Sequence, residues 1–483
     1  ATTEIYPLSL HDALPISHVR RTEGGMMNLR QATTRLGVAA LVAAIPAMGG
    51  AAEHFVSPGE TPLQAVISQA TAGDVLILSS GDHRGPVTID KPLVLAGEKG
   101  ATVFGNGKGS VVTIASSGVT VRGLTVTGSG RDLTFRDSGI YAAQEATGAV
   151  IENNTVTENM FGIYLYGAKN SVARNNTVIG LKSGRMSEAG SGITIWNAPG
   201  AKVIGNNIRF GRDGIATTAS KNNVFSGNRF SDLRFAIHYM YTNDSEISDN
   251  VSTGNSVGYA IMYSNRLKIT GNVSDGDRDH GLLLNAANGS QISGNVVRGR
   301  MQPIDRWLSA GQQTGEHGVP ASDGTGATVL GDQRLGPEKC VFIYNANRNR
   351  FMDNSFENCA IGIHFTAGSE GNRMSGNAFI NNRNQVKYVG TRYLDWSNEG
   401  RGNYWSDNPA FDLDGDGIAD NPYRPNDLID QVLWTSPQAK ILMSSPAVQV
   451  IRWAQAQFPA LLPGGVIDSH PLMAPATESK VIQ

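Results

Sequence analysis

Short runs of alternating apolar and polar residues recur along most of this chain. Each run contains an apolar-x-apolar pair, a turn rich in Gly and Asn, and an asparagine followed two residues later by another apolar residue. Four examples are FGIYLYGAKNSVARNNTV, DGIATTASKNNVFSGNRF, FAIHYMYTNDSEISDNV and IGIHFTAGSEGNRMSGNAF. Alternation with a period of two is typical of short β-strands, so the pattern predicts two or three strands in each repeat.

The spacing of this asparagine gives the length of the repeat. Successive spacings are 22, 30, 22, 22, 22, 23, 59 and 23 residues, between Asn154, Asn176, Asn206, Asn228, Asn250, Asn272, Asn295, Asn354 and Asn377. A unit of about 22 residues cannot bury its own apolar face, whereas stacked units can. Leucine-rich repeats have a similar length but require a leucine spacing and a helix that this sequence lacks. We therefore predict an all-β fold, a right-handed parallel β-helix, with its coils in residues 53–400.

Equivalent residues of stacked coils form columns, because neighbouring coils lie about 4.8 Å apart. The asparagines are expected to form a ladder of amide hydrogen bonds. An inward apolar column is expected from the isoleucines of the Gly-Ile motif, which are Ile163, Ile193, Ile215, Ile237, Ile261 and Ile363. The two long spacings predict insertions, one near residues 180–190 and a Gly-rich one at residues 301–338.

Non-repeating segments flank the predicted coils. Thr61-Pro62 opens a short amphipathic helix that is expected to cap the first coil. Residues 401–483 form a C-terminal tail, in which Ser445–Pro459 is predicted to be a helix that either caps the last coil or docks onto a partner. Its apolar positions are Ala447, Ile451, Ala454 and Phe458.

The N-terminal segment is expected to be absent from the working protein. Residues 6–17, YPLSLHDALPIS, resemble translated sequencing adapter, so residues 1–25 are interpreted as a gene-model artefact. Residues 26–52 have the basic start, the apolar run and the small final residues of a signal peptide. The apolar run is too short to span a membrane. The mature protein is therefore expected to begin near Glu53 and to be periplasmic.

Composition excludes some classes of function. The net charge is −2 and 17% of residues are charged, so the chain has no basic excess for nucleic acid. Cys340 and Cys359 are the two cysteines, too few for a disulfide framework. They fall in neighbouring coils at different distances from the ladder asparagine. They are interpreted as buried thiols or an incidental disulfide, and not as metal ligands.

One acidic segment is a candidate for catalysis. SDGDRDHG contains Asp275, Asp277, Asp279 and His280. Uronate lyases and epimerases use carboxylates with a basic residue or histidine to handle a proton. The segment falls at a turn between coils, where an ordinary solvated turn is the plainer interpretation. A carbohydrate-active enzyme of the uronate epimerase or lyase type, or a glycan-binding module, remains as an alternative function.

A second acidic segment, FDLDGDGIADNPY, has the spacing of a calcium loop. Asp412, Asp414, Asp416 and Asp420 supply carboxylates. An EF-hand needs a bidentate Glu at position twelve, and Tyr423 stands there instead. The segment is predicted to bind a structural calcium ion that pins the tail to the solenoid. The alternative is an Asp/Gly turn without metal.

The coils FAIHYMYTNDSEISDN and CVFIYNANRNRF and the long tail from NYWSDN to HPLM resemble the NosD family of periplasmic maturation proteins, over residues 53–475. The resemblance implies a non-enzymatic accessory protein that works with the permease and ATPase subunits of an ABC transporter. It further implies a role in assembling the copper–sulfide centre of nitrous oxide reductase, with copper or sulfur as cargo and a copper chaperone as a further partner. The insertion at residues 301–338 departs from the family pattern.

Copper(I) prefers thioether and imidazole ligands, which directs attention to one pair of coils. His238 and Met240 alternate onto the same face of the FAIHYM strand. Aligning YAIMYS with FAIHYM on the Ile position puts Met262 in the column of His238, about 4.8 Å away. These three residues form a candidate transient copper(I) site. The alternative is ordinary packing beside the neighbouring tyrosines, Tyr239, Tyr241 and Tyr263.

Overall fold

The computed structural model describes residues 51–59, 61–182, 186–303, 329–330, 333–366, 368–390, 392–426, 445–457 and 464–476. The predicted artefact and signal segments, residues 1–52, therefore lie outside the described residues except for 51 and 52. Most of the predicted insertion at residues 301–338 lies outside them as well.

The chain forms a parallel β-helix in which each coil contributes one strand to each of three long sheets. Sheet 1 has 13 strands: Glu53–Val56, Val75–Leu78, Val94–Gly97, Thr120–Arg122, Val150–Glu152, Val172–Arg174, Lys202–Ile204, Val224–Ser226, Glu246–Ser248, Lys268–Thr270, Gln291–Ser293, Arg350–Met352 and Arg373–Ser375. Sheet 2 has 13 strands: Gly81–Arg84, Ala101–Phe104, Thr125–Thr127, Thr155–Thr157, Thr177–Ile179, Asn207–Arg209, Arg229–Ser231, Val251–Thr253, Val273–Asp275, Val296–Arg298, Ser355–Glu357, Ala378–Ile380 and Tyr404–Trp405. Sheet 3 has 12 strands: Val87–Ile89, Val112–Ile114, Ser138–Ala142, Phe161–Tyr166, Ile193–Trp196, Asp213–Thr218, Phe235–Met240, Val257–Met262, His280–Asn285, Lys339–Tyr344, Ile361–Thr366 and Asn384–Val389. The prediction of an all-β parallel β-helix is confirmed.

The asparagine ladder lies at the corner between sheets 1 and 2. Each side-chain Nδ2 donates to the Oδ1 of the next ladder asparagine at 2.8–3.1 Å, from Asn154 through Asn377. The residue before each of these asparagines is Asn, Gly or Asp, and its φ is positive, as at Asn153 (55°) and Gly205 (65°). Only such residues adopt this left-handed turn readily. The repeating NN, GN and DN dipeptides therefore make the corner and aim the ladder inward.

The inward column of sheet 3 differs from the prediction at one coil. Ile163, Ile193, Ile215 and Ile237 are in register, but the next residue in that column is Tyr259, and Ile261 pairs with Tyr239 instead. The coil VGYAIM contains YAI, which imitates the FAI of the previous coil two residues out of place. A slip of two residues keeps the same face inward, so alternation alone cannot detect it. Ile261 is fully buried in the observed register, in the column of Tyr239.

A short helix lies at the N-terminal end of the solenoid. Helix α1, Leu63–Gln69, follows Pro62 and buries Leu63 and Ile67. Its Gln64 side chain accepts a hydrogen bond from the Thr88 amide at 2.6 Å and donates to the Thr88 carbonyl at 3.2 Å. Thr88 lies in the first strand of sheet 3, so Gln64 satisfies backbone groups that the edge of a sheet otherwise exposes.

The C-terminal tail folds back on the last coil. Gly465–Ile467 pairs in parallel with Tyr393–Asp395. Asn403 extends the ladder by one step, and its Nδ2 donates to the buried Asp468 carboxylate at 3.1 Å. Trp405 Nε1 donates to the same carboxylate at 2.8 Å. Residues 465–468 therefore close the solenoid.

Helix α2, Pro446–Gln457, lies within the predicted helical segment. Within the predicted apolar stripe Ala447 and Ile451 are exposed, whereas Val448, outside the stripe, is buried. Val450 is 63% exposed. The side chains of the helix beyond Ala454 lie outside the described residues, as do those of Arg452 and Trp453.

The insertion after the His280–Asn285 coil begins and ends as antiparallel strands. Arg300–Pro303 pairs with Gln333–Gly336, which also pairs with Val329–Leu330. The next strand of sheet 3, Lys339–Tyr344, contains Cys340, which forms a disulfide with Cys359 across a Cα–Cα distance of 5.7 Å. The sequence left open whether Cys340 and Cys359 are buried thiols or a disulfide, and the structure shows the disulfide.

Candidate functional site

The candidate copper ligands lie on the outer face of sheet 3. In Phe235–Met240 the inward residues Ile237 and Tyr239 are fully buried, whereas His238 and Met240 are only partly buried. Alternation along the strand therefore turns both potential ligands outward, as predicted. A third residue, Met262, comes from the neighbouring strand Val257–Met262.

The register changes the predicted neighbour of His238. Met262 pairs with Met240, and the residue beside His238 is Ala260. The predicted column of His238 and Met262 is wrong, for the same reason that Ile261 was misplaced. The two methionines now stand side by side, with the strands about 4.8 Å apart. His238 lies two residues from Met240, diagonally across from Met262.

The methionine pair lies in a small apolar cluster on this outer face, separate from the main core. Met262 is 2% exposed, and the partly buried Met240 packs against the same group. The cluster also contains Phe235, Val257 and Ala260. Two thioethers thus lie in an environment of low polarity, which suits a soft ion and disfavours a strongly hydrated one.

His238 is held by an ion pair from the preceding coil. Its Nδ1 lies 3.3 Å from the Oδ2 of Asp213. Arg234 binds both oxygens of Asp213, at 2.8 and 2.7 Å. Burial alone raises the pKa of Asp213, but Arg234 and His238 outweigh burial and hold that pKa well below its ordinary value. The Nε2 of His238 is buried and has no hydrogen-bond partner among the residues that the structure describes.

The other histidines of sheet 3 have different surroundings. His364 lies in the column of His238, four coils further on, beside the ring of Phe342 at 5.1 Å. Burial, with the charges of Lys339 and Lys387, lowers the pKa of His364 to about 2. Its separation of four coils from His238 places it outside the candidate site.

The segment SDGDRDHG is not a solvated turn, so that interpretation is wrong. Asp277 is fully buried and accepts hydrogen bonds from Ser252, Ser274 and the Asn255 amide at 2.6–2.9 Å. Burial raises its pKa to about 6. Asn255 holds the equivalent position one coil earlier, where its side-chain oxygen accepts a hydrogen bond from the Leu233 amide.

The remaining groups of this segment point to separate places. Asp275 is bound by Arg300, with one contact at 2.6 Å. His280 Nδ1 donates to the Asp279 carbonyl at 2.6 Å. Burial, followed by the charge of Lys339, lowers the pKa of His280 to about 3. These contacts are structural, and they bring no pair of free carboxylates together.

The predicted calcium loop brings three of its four aspartates together. Carboxylate oxygens of Asp412, Asp414 and Asp420 all lie within 4.8 Å of one another. Asp416 is outside this group and accepts a hydrogen bond from the Ile418 amide at 2.8 Å. The Asp416 amide lowers the pKa of Asp414, but contact with Asp412 and repulsion from Asp416 outweigh it and raise that pKa.

The acidic loop is joined to the solenoid through its backbone. The Ala419 amide donates to the Pro471 carbonyl at 2.7 Å, and Ile418 bridges Leu472. Leu472 also bridges Tyr404 in the last strand of sheet 2. Tyr423, at the twelfth loop position, packs on Trp405 with ring centroids 5.2 Å apart. The position that holds a ligand in an EF-hand is therefore used for packing.

The sequence reading missed Asp213 and Arg234. They lie 25 and 4 residues before His238, and neither belongs to the repeating pattern. Asp213 takes the position that Phe161, Phe235 and Val257 hold in other coils, but Ser138, His280 and Lys339 occupy the same column, so a polar residue there was no distinctive signal.

The protein is a parallel β-helix, with one imidazole and two thioethers on the outer face of sheet 3. The family model described as "Periplasmic copper-binding protein (NosD)" matches residues 179–410, and that of the "Right handed beta helix region" matches residues 97–208. The "Probable ABC transporter binding protein NosD" of Stutzerimonas stutzeri is 39% identical over 401 residues, which cover 83% of this chain and 87% of that protein. Its namesake from Pseudomonas aeruginosa is 40% identical over 404 residues, 83% of this chain and 89% of that protein. The chain belongs to the NosD family.

A solved structure supports the fold alone. The Dettilon tailspike protein matches with a TM-score of 0.50 and 16% identity, covering 70% of this chain and 68% of its own. Within the described part of the chain, neither helix is long and apolar enough to cross a membrane.

Proposed function

We propose that this protein is a periplasmic cargo-binding component of an ABC transporter system and carries copper(I) on the outer face of sheet 3. The cargo is destined for the copper–sulfide centre of nitrous oxide reductase. The observation that carries the proposal is the pair Met240 and Met262 on the same outer face as His238, whose buried Nε2 has no hydrogen-bond partner among the described residues. The names of the relatives support a transporter partner, and the family description supports copper and the periplasm.

The ligand chemistry favours a transient copper(I) site. Thioether sulfur and neutral imidazole are soft, uncharged ligands that prefer copper(I) to hard divalent ions. Without a thiolate or a free carboxylate in the set, the ion is held without a fixed counter-charge. Weak binding suits a protein that receives copper from a chaperone and passes it on. The His238 side chain is 17% exposed, whereas its Nε2 is itself buried.

An accessory role is preferred to the alternatives of a carbohydrate-active enzyme or a glycan-binding module. The relatives are named as binding proteins. The one acidic segment that suggested sugar chemistry uses its carboxylates for internal contacts. Release or epimerisation of uronate by the purified protein would restore the enzyme alternative.

Two variants test the copper proposal. His238→Ala with Met262→Ala should weaken copper(I) binding in anaerobic competition with a chelator, and should yield reductase that lacks its copper–sulfide centre. Met240→Leu with Met262→Leu is a cleaner change, because leucine keeps the volume and removes both sulfurs. We expect at least a tenfold loss of affinity from it.

The matched control is His54→Ala with Met473→Ala, which removes one imidazole and one thioether from exposed positions outside sheet 3. It should bind copper(I) as the unaltered protein does. Normal affinity and normal reductase maturation in both sheet 3 variants would show that the outer face only packs.

Helix α2 is proposed as the docking element for the permease. Its exposed Val450 and Ile451 support this role. Removing everything after residue 444 would be a poor test, since Asp468 closes the ladder. Val450→Glu with Ile451→Glu leaves residues 464–476 in place and should abolish co-purification with the permease. Retention of the complex would exclude docking by this face.

We also propose that the loop of Asp412, Asp414 and Asp420 binds a structural calcium ion. The net repulsion that raises the pKa of Asp414 supports a cation there. Calcium accepts several carboxylate and carbonyl oxygens in flexible geometry. Asp416 shapes the turn in this arrangement rather than binding the ion directly.

A further inference from the structure

We propose that Asp213 is a positioning residue that fixes the tautomer and direction of the His238 imidazole, and so keeps its Nε2 available for the cargo. The inference rests on the proposed copper site and adds residues from a different coil to it. The motivating geometry is the line from Arg234 through Asp213 to His238, which ends at an unpartnered nitrogen.

The carboxylate determines which nitrogen carries the proton. Asp213 is ionised beside Arg234 and offers only acceptor oxygens. The Nδ1 of His238, 3.3 Å from Oδ2, must therefore carry hydrogen to make this contact. In a neutral imidazole the other nitrogen, Nε2, then has the free lone pair. That lone pair is what a soft metal ion requires.

Arg234 holds the carboxylate in place and balances its charge. The guanidinium binds both oxygens, and it packs over the Phe235 ring with its Cζ 4.4 Å from the ring centroid. The Arg234 amide also donates to the Arg212 carbonyl at 2.8 Å. Because both oxygens are occupied, Asp213 is directed towards holding His238 and away from binding the ion itself.

The unpartnered Nε2 is the second, independent observation. Buried polar side-chain atoms are nearly always hydrogen-bonded, so one without a partner needs an explanation. Among the described residues, no donor reaches this nitrogen. Histidines that bind metals commonly give their other N–H to a carboxylate, and this contact sets the ring orientation. The arrangement of Asp213 and His238 has that form.

The first test uses the metal-free protein, so it does not depend on copper. In protein labelled with ¹⁵N-histidine, the signals of His238 are assigned by their loss in His238→Gln. We expect the Nδ1–H tautomer in the unaltered protein. Asp213→Ala with Arg234→Met removes the whole ion pair without leaving a buried charge, and should shift His238 towards the Nε2–H tautomer. An Nε2–H tautomer in the unaltered protein would overturn the inference.

The second test measures copper(I) affinity by competition with a chelator. Loss of the orienting partner of a metal-bound histidine typically weakens affinity about 10–100-fold. We expect a loss in that range for the Asp213→Ala, Arg234→Met variant, and for Asp213→Asn if the double variant melts at a lower temperature. Glu246→Ala with Lys268→Ala, which removes an exposed ion pair from sheet 1, is the matched control.

The outcomes separate this inference from the proposed function. If His238→Ala leaves copper affinity unchanged, the copper site itself is wrong. If His238→Ala weakens binding while both Asp213 variants keep normal affinity and the same tautomer, the site stands and the positioning role is refuted.

Discussion

Two columns of side chains run along the same solenoid at the same spacing, and they differ in how their polar atoms are hydrogen-bonded. In the inner asparagine ladder each amide donates to the next coil and accepts from the previous one. In the outer column of sheet 3, His238 keeps one nitrogen without a partner among the described residues. The ladder uses its polar groups to hold the coils together, whereas the outer column leaves one group available.

The neighbours of each column explain this difference. A ladder asparagine sees another asparagine above and below, so its needs are met by repetition. His238 is paired with Ala216 on one neighbouring strand and with Ala260 on the other, and neither residue has a polar side chain. A break in repetition is where a repeat protein can place a binding group, because the fold does not consume it.

The largest expected effect comes from breaking the ladder. Asn250→Ala leaves the amide and Nδ2 of Asn228 without their acceptor, and the Phe225 carbonyl without its donor. Each buried polar group left unsatisfied costs about 1–3 kcal/mol, so the loss of three partners should lower the free energy of unfolding by at least about 3 kcal/mol. Urea unfolding followed by circular dichroism measures it. Thr253→Ala, at an exposed position of the same coil, is the control, and an equal loss there would contradict the role of the ladder.

The buried carboxylate of Asp277 should lower the free energy of unfolding as pH rises. The pKa of Asp277 in the folded protein is about 6, above its ordinary 3.8, so the folded state binds the proton more tightly. Stability should fall as pH rises from about 4 to about 6 and stay level above that range. The difference between a pKa of about 6 and the ordinary 3.8 corresponds to on the order of 2–3 kcal/mol of stability.

Asp277→Asn should remove this pH dependence. Asn255 holds the equivalent place one coil earlier, so an asparagine fits the column. The variant should gain stability over the unaltered protein at pH 8 and lose that advantage at pH 4, as measured by urea midpoints. Asp249→Asn removes the same charge from an exposed position. The same gain at both pH values would argue against burial of the charge as the cause.

The outer column should tolerate changes that the ladder does not. Met240→Leu with Met262→Leu keeps the volume of the apolar cluster, so the free energy of unfolding should change by less than about 1.5 kcal/mol. Thermal unfolding checks this in the same preparation that is used for copper binding. A loss as large as that of Asn250→Ala would mean that both columns serve stability, and the contrast between them would disappear.

The smallest effect is expected at the acidic loop. Calcium at a few times its dissociation constant should stabilise the protein by about 1 kcal/mol, seen as a higher melting temperature. Asp412→Ala with Asp414→Ala should abolish the response, whereas Asp416→Ala should keep most of it. Identical melting with calcium and with a chelator would remove the calcium site.

The sequence predicted what repeats and missed what does not. The asparagine period identified the coils and the ladder. The register of Val257–Met262 could not be read, because Tyr259 and Ile261 are both inward and a slip between them leaves the pattern intact. Asp213 and Arg234 were invisible for a related reason. Asp213 and Arg234 act through a contact between two coils, and the two residues are 21 positions apart in the sequence. No local pattern encodes such a contact.

The buried Asp277 was misjudged because charge suggested solvent. Within the solenoid, however, a corner position can hold an asparagine-like group whatever its charge, provided that donors surround it. The acidic loop was predicted from spacing alone, and three of its four carboxylates do converge.

The asparagine ladder also gives the solenoid a direction. One N–H of each ladder amide donates towards the C-terminal end, and that of the last amide, Asn403, meets a carboxylate that only accepts. Any number of identical steps can stand before such a terminator without altering it. A NosD-like chain can therefore be lengthened or shortened by whole coils of about 22 residues each. The distance between its closed end and its cargo face is then a quantity that can be adjusted without redesigning either.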